Sequence, residues 1–313
     1  MKKIVLMPVK NEDIFLNLTL ENVSIWADII IIADQKSTDN TLNICSKFSK
    51  VKIIDNPYEG HSNKVRWLLL DEARKIDGNN LIFCLDADEL ISPKSITEIE
   101  DKISKKEILP GTGLRFNWIQ FWESTEKHRV DGVWKKNIKT IAFWDDGFID
   151  YVRKYVINDH TERIPATKKT VDISYPLLHL NMLLKEKYDI KQIWYRCSEF
   201  IKNPQKVKKI NNKYFVMKAD KVVTAETDKQ WLEEINTTNF KYEKDDDWHY
   251  KQILKWFDEY GLDYFEPLDI WDFNEFKDYF VKKFNRKPKI QSYPTWLVKL
   301  NNFKNKIRSL NIS

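Results

Sequence analysis

The run Asp28-Ile29-Ile30-Ile31-Ile32-Ala33 has no polar residue after its first position, and it constrains the fold more than any other stretch. A strand with one wet face alternates apolar and polar residues, so an unbroken β-branched run implies a strand covered on both faces. The flanking sequence fits that setting. Residues 3–9 read as a strand, and Ile14, Leu16, Leu18, Leu20, Val23 and Ile25 fit a helix with a broad apolar face. A short helix follows over 41–48, with Leu42, Cys45 and Phe48 inward, then a strand over 51–54. Val65, Leu68, Leu69, Ala73 and Ile76 have helical spacing, and 81–85 is the next strand. Ser92 as N-cap with Pro93 in the first turn opens a further helix. Alternating strands and helices imply a doubly wound, parallel sheet whose crossovers align the strand C-termini along one edge. Ligands bind at that edge in open α/β sheets. Pro8 to Glu12, Asp34 and Asp86 to Asp88 each follow a strand, so they are expected to converge on one crevice.

Asp86-Ala87-Asp88, followed by Glu89, crowds acids at the end of the apolar strand. Carboxylates packed this closely repel one another and raise one another's pKa unless a cation joins them. A hard divalent ion such as Mg²⁺ or Mn²⁺ is the usual solution, and it bridges to phosphates. The other reading of the tripeptide is a solvated acidic turn.

Composition narrows the class. The chain has 313 residues, enough for one large domain or a core domain with an appended region, and 42% are apolar. Lys and Arg number 52 against 47 Asp and Glu, and the excess of +5 is spread along the chain, unlike the concentrated basic face of a nucleic-acid binder. Cys45, Cys84 and Cys197 lie far apart in apolar surroundings, which reads as buried free thiols in a reducing compartment. The apolar stretch at the N-terminus is short and interrupted by Pro8, Lys10 and Asn11, unlike a signal peptide, and no run of about 18 apolar residues suggests a membrane span. A cytoplasmic protein is expected. The basic stretch 299–313 and exposed aromatics leave open a peripheral contact with anionic lipid at the inner face of the membrane. Oligomeric state is not legible.

Further along, 114–121 and 140–144 read as strands, and Trp248 to Phe257 has helical spacing. The expected division is a domain over 1–200, with a nucleotide-binding half (1–110) and an acceptor-side half (111–200), then a helical, aromatic-rich extension over 201–313.

Three motifs together resemble the inverting GT-A glycosyltransferases of family 2: Pro8-Val9-Lys10-Asn11-Glu12, Ala33-Asp34-Gln35-Lys36-Ser37-Thr38-Asp39-Asn40-Thr41, and Leu85-Asp86-Ala87-Asp88-Glu89-Leu90. Their order and strand-end placement both match over about the first 100 residues. Residues 155–200 resemble the branch that includes lipopolysaccharide-core glucosyltransferases, through His160-Thr161-Glu162, Leu178-His179 and Trp194-Tyr195-Arg196. The family's His-Glu pair is adjacent, whereas here Thr161 separates its members.

The resemblance implies a GT-A fold: a Rossmann-like, mostly parallel sheet with helices on both faces. It implies a metal-dependent enzyme, using Mn²⁺ or Mg²⁺, that moves a sugar from a nucleoside-diphosphate sugar, a UDP-sugar by family frequency, to a hydroxyl of a glycan or lipid-linked glycan. Bacterial surface polysaccharide synthesis is the expected setting. Pro8, Val9, Asn11 and Glu12 would lie along the nucleobase, with Asp34 on the base or ribose and Arg66 against the nucleotide. Asp86 would approach the ribose and the metal beside Ala87, whose small side chain leaves room for the sugar. Asp88 would ligate the metal, with His179 as third ligand or diphosphate contact. Glu162 would be the general base, with Asp131 and Asp159 as rivals. Each has a plainer reading. Asp34 would join a cap network with Ser37 and Asp39, Glu12 would cap its own helix, Arg66 would be solvated, His179 a buried histidine, and the three acids surface charges. Trp118, Trp122, Trp134 and Trp144 would stack a sugar or simply fill the core. A nucleotidyltransferase on a similar sheet is the rival enzyme, although its first turn usually carries glycines that 8–12 lack. A non-catalytic sugar-nucleotide-binding module is the other alternative.

Overall fold

The computed structural model describes residues 1–58, 62, 64–151, 163–215, 222–233, 235, 240–289 and 293. The chain forms two compact units. The first comprises Met1–His128, Lys136–Asn181 and Glu226–Phe240, and the second Arg129–Lys135, Met182–Ala225 and Lys241–Ser313. The sequence division at 200 falls inside a helix that packs with the second unit.

In the first unit, β1 (Lys3–Val9), α1 (Leu16–Trp26), β2 (Ile29–Asp34), α2 (Thr41–Cys45), β3 (Val51–Asp55), α3 (Lys64–Ala73) and β4 (Leu81–Cys84) alternate as expected. They are followed by β5 (Glu89–Ile91), α4 (Pro93–Ser104), β6 (Thr112–Gln120), a short β7 (Lys127–Arg129), β8 (Ile138–Trp144) and β9 (Lys169–His179). Eight strands form one sheet in the order β3-β2-β1-β4-β8-β6-β9-β5. The half built from β3, β2, β1 and β4 is wholly parallel. Beyond β4 the sheet is mixed: β8 runs antiparallel to β4 and β6, β6 and β9 are parallel, and β5 is antiparallel to β9.

The strand residues divide by parity between two cores, which explains the unbroken apolar runs. Val5, Met7, Val9, Ile30, Ile32, Leu81, Phe83 and Leu85 pack on one face with residues of α1, α2 and α4. Ile4, Leu6, Ile31, Ala33, Ile82 and Cys84 pack on the other with Val65, Leu69, Leu70 and Ala73 of α3. Fully burying an aliphatic side chain of this size stabilises by roughly 1.5–3 kcal/mol, so both faces favour this register. α2 is shorter than its periodicity suggested, and Leu42 is 39% exposed. Cys45 is buried as expected and Phe48 packs against the same core, while Thr41 and Ile44 take inward positions in place of Leu42. Ser92 caps α4 by accepting from the Lys94 N–H, as its position ahead of Pro93 predicted.

The second unit is helical: α5 (Lys185–Lys202), α6 (Val207–Phe215), α7 (Trp248–Tyr260) and α8 (Asn274–Phe284). Its core joins Ile190, Cys197 and Phe200 of α5 to Ile253 and Phe257 of α7 and to Phe276 and Phe280 of α8. Asp247 caps α7 by accepting from the His249 and Tyr250 N–H groups, and Gly261 ends the helix at φ 86°. The three cysteines are free and buried. Among the described residues, no helix is long and apolar enough to cross a membrane.

Candidate active site

Parallel pairing of β1 with β2 and β4 brings the three expected turns to one sheet edge. Val9 lies opposite Asp34, Leu6 opposite Cys84, and adjacent strands stand about 4.8 Å apart. The turns after β1 and β2 are laced together. The Asn11 N–H donates to Ser37 Oγ at 2.9 Å, and Asn11 Oδ1 accepts from the Thr38 N–H at 2.7 Å. The Glu12 N–H donates to Thr41 Oγ1 at 2.8 Å, and Asp39 accepts from the N–H groups of Asp13 and Thr41. Asn11 and Lys36 have φ of 53° and 54°, a conformation that asparagine tolerates better than most residues. Asp34 is 7% exposed and accepts from the Ser37 N–H at 3.1 Å, so it takes part in the turn network that its plainer reading named. The Val9 side chain faces the core.

The turn after β4 carries the acids. Ala87 is buried, and its carbonyl accepts from Thr19 Oγ1 of α1 at 2.7 Å, which fixes the middle of the tripeptide. Asp86 lies between two guanidinium groups: Arg66 reaches Oδ1 and Arg163 reaches Oδ2, both at 2.6 Å. Burial opposes ionisation of Asp86, but Arg163 and Arg66 outweigh it and hold the carboxyl below its usual range. Arg66 is therefore neither solvated nor on an open helix face. Glu89 is fully buried and ion-paired to Arg163. It also accepts from the Asp86 N–H and from Trp118 Nε1, each at 3.0 Å. Burial pushes the Glu89 carboxyl up, against the pull of Arg163.

Asp88 faces β9. Antiparallel pairing sets Glu89 opposite His179, and parallel pairing sets Gln120 opposite the same histidine. His179 Nε2 lies 3.2 Å from Asp88 Oδ2, and Nδ1 lies 2.7 Å from Gln120 Oε1. Gln120 Nε2 donates to the His179 carbonyl at 3.3 Å, which orients the amide. An amide oxygen only accepts, so this network assigns the ring proton to Nδ1. In the neutral ring Nε2 then presents a lone pair to a carboxylate oxygen, an arrangement that calls for a cation or a proton between them. Asp88 and His179 thus fit a divalent ion, with phosphate and water oxygens to complete its shell. Among the described residues, no group of three or more His, Cys, Asp or Glu converges as a closed metal cage. Trp118 packs against the His179 ring at 4.6 Å between centroids, and Lys139 Nζ lies 4.9 Å from the Trp118 ring centre.

Glu162 and Asp159, with His160, fall outside the described residues. Asp131 belongs to the second unit, where Arg129 grips both of its oxygens at 2.5–2.9 Å and stacks over Trp134. Trp144 donates to the Asn79 carbonyl at 3.2 Å. Trp194 packs with Trp248 and Trp256, and Arg196 donates to the Asp269 carbonyl at 2.7 Å. Sequence reasoning missed Arg163, Gln120 and the anchoring role of Glu89. Three acids on one turn did signal that cations must be near, but nothing local marked which ones.

Residues 4–155 match the family model described as Glycosyl transferase family 2. The match covers just under half of the chain. No curated protein matches the chain. Among solved structures, S. aureus TarS is similar at 19% identity over 38% of this chain and 22% of that one, with a TM-score of 0.33. Its 1-349 fragment gives 12% identity over 71% of this chain and 67% of that one, with a TM-score of 0.38. Glucosyl-3-phosphoglycerate synthase from Mycobacterium tuberculosis, in complex with Mn²⁺, UDP and glucosyl-3-phosphoglycerate, gives 16% identity over 39% of this chain and 44% of that one, with a TM-score of 0.29. The chain thus spans about a fifth of the full TarS chain. The matched stretch begins in β1 and includes the turns after β1, β2 and β4, with Asp34, Arg66, Asp86, Asp88 and Glu89.

Proposed function

We propose that this protein transfers a sugar from a nucleoside-diphosphate sugar to a hydroxyl acceptor, with inversion and with Mn²⁺ or Mg²⁺ at Asp88 and His179. The carrying observation is the His179 Nε2 to Asp88 Oδ2 approach at 3.2 Å, with Nδ1 already committed to Gln120. The ion supplies Lewis-acid relief of the charge that builds on the leaving diphosphate, worth several kcal/mol in the transition state.

The chain's own residues do the rest. The laced turns of Asn11 and Asp34 form a wall for the nucleoside at the sheet edge. Asp86 is fixed by Arg66 and Arg163 beside the diphosphate. Glu162 takes the proton from the acceptor hydroxyl as its oxygen bonds to the anomeric carbon, and the carbon–oxygen bond to the diphosphate breaks with its electron pair leaving on phosphate. Such a base contributes roughly 10²–10⁴ in rate. Glu162 is favoured over Asp131 because it follows His160 in the family-like position and its chain neighbour, Arg163, is ion-paired to Asp86 and Glu89, whereas the Asp131 carboxylate is committed to Arg129. UDP-sugars are the proposed donors, and a growing bacterial surface glycan, free or lipid-linked, is the proposed acceptor. The enzyme would work in the cytoplasm or at the inner face of the membrane.

A panel of nucleotide sugars with Mn²⁺ or Mg²⁺ tests this reading, followed by thermal shift and by release of nucleoside diphosphate. Asp88→Ala is expected to abolish metal-dependent donor binding. Glu162→Ala is expected to spare binding and remove transfer, and retained transfer would move the base to Asp131 or Asp159. Nucleotide binding with no release of nucleoside diphosphate under any acceptor would instead identify a binding module.

A further inference from the structure

Lys139 stands at the sheet edge that carries the acid turn. β8 runs antiparallel to β4, with Phe83 opposite Ala142, so the start of β8 lies beside the chain as it leaves β4. The Lys139 side chain is partly buried, and its Nζ lies 4.9 Å from the Trp118 ring centre. Trp118 is itself tied down, donating from Nε1 to Glu89 and packing against His179. Among the described residues, the Lys139 ammonium makes no hydrogen bond and no ion pair. Burial and Arg163 lower its pKa, while Glu89 and Asp86 pull the other way. Those two carboxylates already have guanidinium partners: Arg163 pairs with both, and Arg66 with Asp86. A carboxylate partner would cancel the charge of the ammonium. An indole face positions it and leaves its N–H donors for an incoming oxyanion.

We propose that Lys139, held on the Trp118 indole, binds an anionic group of the acceptor, so that the substrate class is a phosphate- or uronate-bearing glycan and not a neutral one. This deepens the sugar-transfer reading above and rests on it. Strand order supplies the reason for the acceptor. From β2 through β1 and β4 to β8, the edge carries the Asp34 turn, the Asn11 turn, the acid turn and then Lys139. β8 stands roughly 14 Å from β2 across that edge. A nucleoside against the first two turns, with its diphosphate at the third, brings the anomeric carbon and then the acceptor toward Lys139. An ammonium on a flexible stem is a point charge that suits phosphate and carboxylate alike. A neutral glycan would leave this partly buried cation without an oxyanion, and the selection against it follows from that loss.

The test is binding of the full chain, loaded with UDP and Mn²⁺, to an array of phosphate- or uronate-bearing bacterial glycans and their neutral counterparts. The unaltered protein should favour the anionic glycans about tenfold or more, the usual worth of a hydrogen bond to a charged group. Lys139→Met and Lys139→Gln should each remove that preference and change UDP affinity by no more than about threefold, whereas Lys139→Arg should keep the preference. Lys136→Met removes an exposed charge on the same segment and should leave the preference intact. Equal binding of neutral and anionic glycans by the unaltered protein overturns the inference. So does a preference that survives in Lys139→Met and Lys139→Gln, or one that falls equally in Lys136→Met. A loss of UDP affinity of about tenfold in Lys139→Met and Lys139→Gln overturns it too, because the ammonium would then sit on the donor diphosphate. If neither variant folds, inorganic phosphate added to the unaltered protein decides: displacement of the anionic glycans supports the inference, and no displacement overturns it. Anionic-glycan binding that needs Lys139, in a protein that releases no nucleoside diphosphate from any nucleotide sugar, fails the transfer reading and keeps the anion site, which separates the two failures.

Discussion

Gln120 Oε1 stands 2.7 Å from His179 Nδ1, and this contact decides what the opposite ring nitrogen offers to Asp88. A ligating histidine whose second nitrogen donates to a fixed acceptor is held in one tautomer and one orientation. Gln120→Leu removes that acceptor at similar size. Mn²⁺ affinity should fall roughly 10–100-fold, the usual cost of losing such a partner, beside a stability loss of about 1–3 kcal/mol from the buried imidazole N–H left without its acceptor. Titration with Mn²⁺ measures it, and unaltered affinity would show that the tautomer is set elsewhere.

Glu89 is a stability element as much as a site element. Glu89→Ala leaves the Arg163 guanidinium and the Trp118 indole N–H without their buried acceptor. Breaking a buried ion pair by removing one partner costs about 3–5 kcal/mol, and the partial exposure of Arg163 puts this one toward the lower end. Urea unfolding of the two proteins gives the difference, and a loss under about 1 kcal/mol would contradict the assignment.

Thr19 links α1 to the acid turn through its hydrogen bond to the Ala87 carbonyl. Thr19→Val keeps the shape and removes the donor. The expected loss is about 1–2 kcal/mol, because the Ala87 carbonyl is left buried and unpaired. Mn²⁺ should also bind more weakly, since Asp88 follows directly on the loosened residue. Paired denaturation and Mn²⁺ titrations check both effects.

Acid should destabilise the second unit before the carboxylates of the first matter. Burial holds the His249 imidazole down to about 4 from 6.5, against the pull of Asp247, so the ring is neutral in the fold at neutral pH. The unfolded chain takes up this proton first, so stability present above pH 6.5 is lost as pH falls to about 4. Asp247, whose bonds to His249 outweigh burial and hold it at about 2 from 3.8, adds a second loss between those values. His249→Gln should flatten the melting temperature between pH 6.5 and 4, relative to the unaltered protein, which is expected to fall by the equivalent of about 1–3 kcal/mol. Parallel slopes for the two proteins would rule out His249 as the source.

The strand-end placement of Asp34, Asp86 and Asp88 was legible in the chain because burial on both sheet faces demands unbroken apolar runs, and such runs cannot be mistaken for half-wet strands. Parallel topology then sends the residues after each run to one edge. The same local periodicity located α1, α3 and α7, and the Ser92–Pro93 start signal located α4, although periodicity overextended α2, where Leu42 is exposed and Thr41 and Ile44 join Cys45 inward. Those signals depend on nearest neighbours along the chain.

The partners of the acids depend on the register between distant strands, and no window of sequence contains it. β5 is three residues long, too short to show a period, yet its antiparallel pairing with β9 is what sets Glu89 opposite His179. Gln120 meets that histidine only because β6 runs parallel to β9 on its other side. Arg163 reaches Asp86 across 77 residues of chain. Where negative charge gathers was written into the order of residues, since apolar periodicity is local. Which cations and which imidazole meet that charge was left to the folded chain, because long-range strand pairing alone brings those groups together.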